Sequence, residues 1–239
     1  MFLLKNMNGL RLFIAVFPPE KIKNQLLEYQ QKKLAKNKEI FRITPLDALH
    51  LTLVFIGDSD EKEKEKIIFA CRKTAALFSP FQITLENINY GPNEKLPRLV
   101  WLEGKSAEEL IKLEKTLRKN FYEIAGKKIT GGNHNFKAHI TLARIKNNSH
   151  KSLPQEIKER KKITFWVEKF FLMNSQLDCQ GAKYKIIDKN DKEYDVYVMK
   201  LITEEDGEEA LEIVEDNDII NNVFNEFKTH AKDEFEFLD

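Results

Sequence analysis

Cysteine is nearly absent: Cys71 and Cys179 are the only two in 239 residues, and neither has a second cysteine or a histidine at ligand spacing. That excludes a disulfide framework and a zinc signature, and it suits a reducing cytoplasm. Long apolar runs are missing too. The stretch from Met1 to Val16 is short and carries Arg11, and no small-residue cleavage site follows it. It reads as a buried strand rather than a membrane span or a signal peptide, with Met7 as an alternative start. The chain also lacks a glycine-rich nucleotide loop, a paired-aspartate metal site and a nucleophilic Ser or Cys constellation. Neither a metal nor any other cofactor is expected.

A surplus of either charge is missing overall, since 39 basic residues stand against 38 acidic ones. The balance hides a division. Residues 203–239 carry 14 acidic and 2 basic side chains, which leaves residues 1–202 with 37 basic and 24 acidic, a net of +13. Such a body attracts polyanions, because each phosphate it neutralises releases condensed counterions. Lysine-rich surfaces are common, so charge supports phosphate binding without establishing it. Two regions are expected, a main domain over 1–202 and an acidic tail over 203–239. Within the tail, 203–215 is too acidic to pack alone, whereas Asp218 to Lys232 sets Ile219, Ile220, Val223, Phe224 and Phe227 on one helical stripe. A solubilising appendage is its simplest reading, and competition with a polyanion for the basic body is the alternative.

What the chain does contain is one small polar pattern written twice. His50-Leu51-Thr52-Leu53 and His139-Ile140-Thr141-Leu142 lie 89 positions apart, each in an apolar run that reads as a strand. Strand side chains alternate, so His50 and Thr52 share one face while Leu51, Leu53 and Phe55 share the other. His139 and Thr141 stand against Ile140 and Leu142 in the same way. An imidazole beside a hydroxyl is a minimal unit for proton transfer and oxyanion binding, and two such units facing each other grip a phosphate from both sides. Arg144 is a candidate phosphate clamp, although strict alternation puts it on the Ile140 face, so a strand end or a bulge must turn it. His134 sits in a glycine-rich loop and reads as solvated, as do His150 and His230. Phe136 and Tyr90 are candidates to stack a base, with buried packing the simpler fate of each.

The intervening sequence alternates strands with helices. Leu10 to Phe17 reads as a strand buried on both faces, and Glu20 to Lys36 as an amphipathic helix carrying Ile22, Leu26, Tyr29 and Lys33. Phe41 to Thr44 and Leu49 to Ile56 read as strands, the second stopped at Gly57. A helix over Asp58 to Phe78 and a strand pair over Phe81 to Tyr90 and Arg98 to Glu103 follow. Ser106 with Glu109 forms a capping-box pattern for a helix that ends before Gly126. Ser152 to Arg160 reads as a short helix, Ile163 to Met173 as one long strand, and Tyr184 to Ile187 with Tyr194 to Ile202 as a hairpin. The expected fold is α+β, with two similar sheet-and-helix lobes and one motif strand in each.

These strings, in this order, resemble the LigT-like RNA 2′,3′-cyclic phosphodiesterases of the two-histidine (2H) phosphoesterase superfamily. The matching pieces are Arg11-Leu12-Phe13-Ile14-Ala15-Val16, then Pro45 with Leu49 to Leu53 and Gly57, and Arg98 to Leu102. Phe136 to Arg144, Ser175 with Leu177, and Gly181-Ala182 with Tyr184 complete the set. The likeness covers about residues 10–202, and the doubled His-x-Thr is its defining signature. It implies a bilobal, pseudo-symmetric fold of two antiparallel sheets with outer helices around a central cleft, and chemistry without a metal. It further implies His50 as proton donor and His139 as proton acceptor, with Thr52 and Thr141 binding phosphate oxygens. The implied partners are RNA ends or oligonucleotides bearing a 2′,3′-cyclic phosphate, handled by a cytoplasmic monomer without a membrane, with reversible 2′–5′ RNA joining as an accompanying activity. Two other readings stand beside it, a phosphodiesterase on 2′–5′-linked oligonucleotides and a non-catalytic RNA-end-binding module. The acidic tail has no counterpart in the resemblance.

Overall fold

The first strand, β1 (Leu10–Val16), is buried on both faces from Leu12 onward, as its apolar run after Arg11 requires. Leu12, Ile14 and Val16 enter the main core, while Phe13 and Ala15 join a smaller cluster on the other face with Phe171 and Met173. The computed structural model describes residues 10–93, 95–129, 136–146, 153–178, 181–187 and 196–198. The expected acidic linker and tail helix lie outside these residues, as do His134, His150 and His230. Among the described residues no helix is long and apolar enough to cross a membrane.

After β1 come helix α1 (Glu20–Tyr29), strand β2 (Phe41–Ile43), strand β3 (Leu51–Ser59), helix α2 (Glu61–Ala75), strand β4 (Phe81–Gly91) and strand β5 (Leu99–Glu103). Helix α3 (Glu108–Ala125) leads to β6 (His139–Ile145), β7 (Glu159–Val167), β8 (Lys169–Asp178), β9 (Gly181–Ile186) and β10 (Val196–Val198). Asp60 starts α2 with a capping box, accepting from the Glu63 amide at 2.7 Å while Glu63 accepts from the Asp60 amide; such a cap stabilises a helix by about 1 kcal/mol. Gly126, with φ of 61°, ends α3 in the left-handed conformation that other residues resist. The two helices are tied in the core by Asn120 Nδ2, which donates to Thr74 Oγ1 at 2.7 Å.

The strands pair antiparallel throughout, in the order β10-β8-β1-β3-β6-β5-β4-β7, with β9 beside β8 and β2 beside β6. The two expected sheets are thus halves of one. Among the described residues they meet between β3 and β6 through a single residue pair, Leu51 opposite Ile140, and both side chains are fully buried. Each half carries one His-x-Thr unit at this joint.

Several expected boundaries move. α1 gives way at Gln30–Leu34 to a π-helical turn rather than running on to Lys36. β3 continues past Gly57, whose φ of 89° is accommodated inside the strand. The expected helix over Ser152 to Arg160 is only a short turn at Gln155–Ile157 before β7. The long strand expected over Ile163 to Met173 is two strands broken at Glu168: β7 pairs with β4 in one half, and β8 pairs with β1 in the other. Buried residues step by two up to Val167 and then by three to Phe170, which marks the break. The expected final hairpin is replaced by β9 and β10 each pairing with β8.

Candidate active site

The single pair at the joint fixes the site. Extending its antiparallel register by one residue in each direction sets His50 opposite Thr141 and Thr52 opposite His139. Leu51 and Ile140 point into the core, so the four polar side chains point to the other face, where all four are partly exposed. The two units predicted from the sequence are therefore brought together, related by an approximate twofold through the Leu51–Ile140 pair.

Both imidazoles are held by the carbonyl two residues earlier. His50 Nδ1 lies 2.7 Å from the Ala48 oxygen, and His139 Nδ1 lies 2.8 Å from the Lys137 oxygen. A carbonyl only accepts, so each Nδ1 carries the hydrogen and each Nε2 is the titrating atom. His50 Nε2 lies 3.1 Å from Thr52 Oγ1. Burial lowers both pKa values below the ordinary imidazole value of 6.5, and the backbone hydrogen bonds oppose that shift. The charges of His139 and Arg144 lower His50 further, whereas Glu103 favours the charged form of His139 and Lys137 disfavours it. Each imidazole is thus set by charges from the opposite side of the joint or from its own rim.

Arg144 reaches the open face because β6 bulges. β5 pairs Val100 with Ala143 and Trp101 with Thr141, so Leu142 is an extra residue on β6. Burial follows suit: Leu142 and Ala143 are both buried, and Arg144 is exposed on the side of His139 and Thr141. A bulge that re-aims a side chain is a common device beside active sites. β3 does the same thing at the matching position. β1 pairs Ile14 with Val54 and Ala15 with Thr52, which leaves Leu53 as the extra residue. Phe55 is thereby turned out of the core, 46% exposed, against the expectation that it lies with Leu51 and Leu53. It stacks beside Phe13 at 6.4 Å, with the Arg11 guanidinium 5.0 Å from its ring centre. Phe13 and Phe17 in turn lie 5.3 and 5.9 Å from the His50 ring.

On the other half, Trp101 packs on His139 with ring centroids 4.5 Å apart, and the Lys137 ammonium lies 5.3 Å from the indole. Lys137 also pairs with Glu103 at 2.6 Å, and Glu103 stands opposite His139 on β5. Sequence reasoning assigned no role to Trp101, Glu103 or Lys137, because only the strand register brings them to the histidine. Ser106 does not cap α3 as expected. Its hydroxyl donates to the Phe136 carbonyl at 3.1 Å and accepts from the Ala138 amide at 3.0 Å, which secures the entry to β6. Tyr90 is buried, its hydroxyl donating to the Pro154 carbonyl at 2.7 Å, and Phe136 packs against the core. Phe55 and Phe17 are the aromatics on the open face instead.

Comparison with known proteins places this geometry. A profile of the 2′-5′ RNA ligase superfamily matches residues 18–178. A Thermus thermophilus protein named RNA 2′,3′-cyclic phosphodiesterase is 34% identical over 183 residues, covering 75% of this chain and 89% of its own length. A Bacillus subtilis protein of the same name is 30% identical over 182 residues, covering 74% and 93%. The crystal structure of the Thermus thermophilus protein TT0787 superposes with a TM-score of 0.67 at 31% identity, covering 79% of this chain and 97% of that one. The apo crystal structure of Escherichia coli LigT shares the fold, with a TM-score of 0.59 at 24% identity, covering 76% and 96%. A profile that runs from the end of β1 to the end of β8, across both motif strands, settles the relationship: this chain belongs to the 2′-5′ RNA ligase superfamily.

Proposed function

We propose that this chain hydrolyses the 2′,3′-cyclic phosphodiester at RNA ends or on nucleotides, leaving a 2′-phosphate and a free 3′-hydroxyl. The observation that carries the reading is the Leu51–Ile140 pair, which sets two imidazole–hydroxyl units across one point. Ring opening needs in-line attack of water on phosphorus with the 3′-oxygen leaving on the far side. His139 Nε2, unprotonated, takes the proton from water; His50 Nε2, protonated, gives one to the departing 3′-oxygen. Thr52 and Thr141 donate to the non-bridging oxygens as charge builds there, and Arg144 supplies the opposing charge.

The free imidazoles both disfavour protonation, so the acid form of His50 needs help. A bound phosphate anion supplies it by offsetting the Arg144 charge that depresses His50. Trp101 holds the His139 ring in place from one side. Phe55, exposed beside His50, offers a stacking face for the base of the terminal nucleotide. The acid, the base and the clamp all come from one chain, in keeping with action as a monomer.

The test is incubation with nucleoside 2′,3′-cyclic phosphates in EDTA, with the product isomer identified. Formation of the 2′-phosphate supports the reading. No turnover would favour an RNA-end-binding module, and turnover only of 2′–5′-linked oligonucleotides would favour the other phosphodiesterase. The same proton transfers, with a 5′-hydroxyl in place of water as the nucleophile, join 2′–5′ ends, the activity in the superfamily's name; it is checked by incubating a cyclic-phosphate end with a 5′-hydroxyl oligonucleotide.

A further inference from the structure

The bulge that turns Arg144 outward sits where β6 changes partners. β6 pairs with β3 at Ile140 and with β2 from Ala143 to Ile145, so Thr141 and Leu142 face a gap between two strands. The Leu142 carbonyl, at the bulge itself, is met there by the Thr44 amide at 2.9 Å. It is also met by a side chain. Gln30 Nε2 donates to the Leu142 oxygen and to the Thr44 oxygen, each at 2.8 Å. Two carbonyl neighbours fix the orientation of the amide, since the reverse orientation would set oxygen against oxygen.

Gln30 is an unusual residue to find here. It is 1% exposed and opens the π-helical turn that interrupts α1. Such turns widen a helix locally and are frequent at functional sites. Gln30 stands one helical turn after Leu26 and next to Tyr29, both buried, so it occupies the inward stripe of the helix, where apolar side chains normally sit. Its Oε1 is buried with no hydrogen-bond partner among the described residues, a cost that an apolar side chain would avoid.

We propose that Gln30 is a positioning residue for the phosphate grip: its amide bridges the gap between β2 and β6 and holds the Leu142 bulge in the shape that presents Thr141 and Arg144 together. It acts through the Leu142 carbonyl and touches no substrate. The proposal rests on the cyclic-phosphodiesterase reading of the same site.

The experiment compares wild type, Gln30→Leu, Gln30→Met, Arg144→Ala and the Gln30→Leu/Arg144→Ala double variant, each checked by its melting transition. kcat and KM are measured on a nucleoside 2′,3′-cyclic phosphate, and affinity on inorganic phosphate. Expected is a loss of about tenfold in kcat/KM and a weaker phosphate affinity for both single Gln30 variants. In the Arg144→Ala background the same substitution should cost clearly less than the roughly tenfold expected in wild type, because one of the two groups it positions is gone. Losses that multiply in full in the double variant, or single variants within about twofold of wild type, would overturn the proposal. So would collapse of both Gln30 variants, which would make the amide a requirement of the fold rather than of the site. Should wild type lack turnover, the enzymatic reading fails, and the phosphate affinities judge Gln30 on their own.

Discussion

Arg144 and Phe55 hold the same place in the two motif strands, each five residues after its histidine and each turned to the open face by an extra residue at the preceding leucine. The backbone device is repeated, but its payload is not. One half presents a guanidinium whose charge reaches His50 across the joint, and the other presents an aromatic ring backed by Phe13. An approximate twofold in the backbone thus carries an asymmetric site, as a reaction with a distinct entering and leaving oxygen requires.

That asymmetry predicts different defects. Arg144→Ala should lower kcat/KM by about 10–100-fold on every cyclic phosphate, with Arg144→Lys recovering part of it, since a point charge replaces a fork of donors. Phe55→Ala should cost about 1–3 kcal/mol in binding a nucleoside cyclic phosphate. Ribose 2′,3′-cyclic phosphate, which has no base, should be turned over equally well by Phe55→Ala and wild type. Steady-state kinetics on the two substrates separates the roles, and an equal loss on both would remove base stacking from Phe55.

Each histidine should be required on its own. His50→Ala and His139→Ala should lower turnover by about 10²–10⁴-fold, the usual worth of a positioned acid or base. Thr52→Ala and Thr141→Ala should each cost less. A histidine variant that keeps near-normal kcat contradicts the paired scheme.

The pH dependence has a definite direction. Both imidazoles titrate below 6.5 in the free protein, so the bell-shaped kcat/KM profile should be centred on the acid side of 6.5. Glu103 favours protonated His139, so Glu103→Gln should move the limb governed by His139 to still lower pH. The same shifts act on stability. The unfolded chain takes up protons near 6.5 before the folded one does, so the stability tied to these neutral imidazoles falls as pH drops through about 6.5. Denaturant melts across that range check the sign.

Of the described glycines, Gly91 leaves the least room for a side chain. A Cβ there would lie 2.2 Å from the Trp101 ring, which rests on His139. Gly91→Ala should therefore destabilise by about 1–3 kcal/mol through overpacking and lower turnover as the indole shifts. Thermal melts and kcat measured together test it; a stable variant with unchanged kcat would show that the His139 ring does not depend on its indole neighbour.

Which residues meet at the joint was legible in the chain alone. His50, Thr52, His139 and Thr141 share a strand face because alternation is a local property of the extended backbone, and the apolar residues between them must go to the core. Most elements were readable on the same ground, since apolar spacing in α2 and α3 and the apolar run of β1 after Arg11 need no knowledge of distant residues. The break at Glu168 also left a trace, in the three-residue step from Val167 to Phe170.

The rest depended on how distant strands pair. That β3 meets β6 through one pair, that Leu53 and Leu142 are extra residues, and that Phe55 and Arg144 face outward all follow from which strands run alongside. A bulge is a mismatch between two partners, and one strand read alone carries no sign of it. Gln30 was hidden for the same reason. It follows α1 at a position given no role in the sequence, and its meaning came from the two carbonyls of Thr44 and Leu142, one of them 112 residues away in sequence. Local periodicity sets which face a side chain takes along a regular strand, but only the pairing of distant backbone says where that regularity stops.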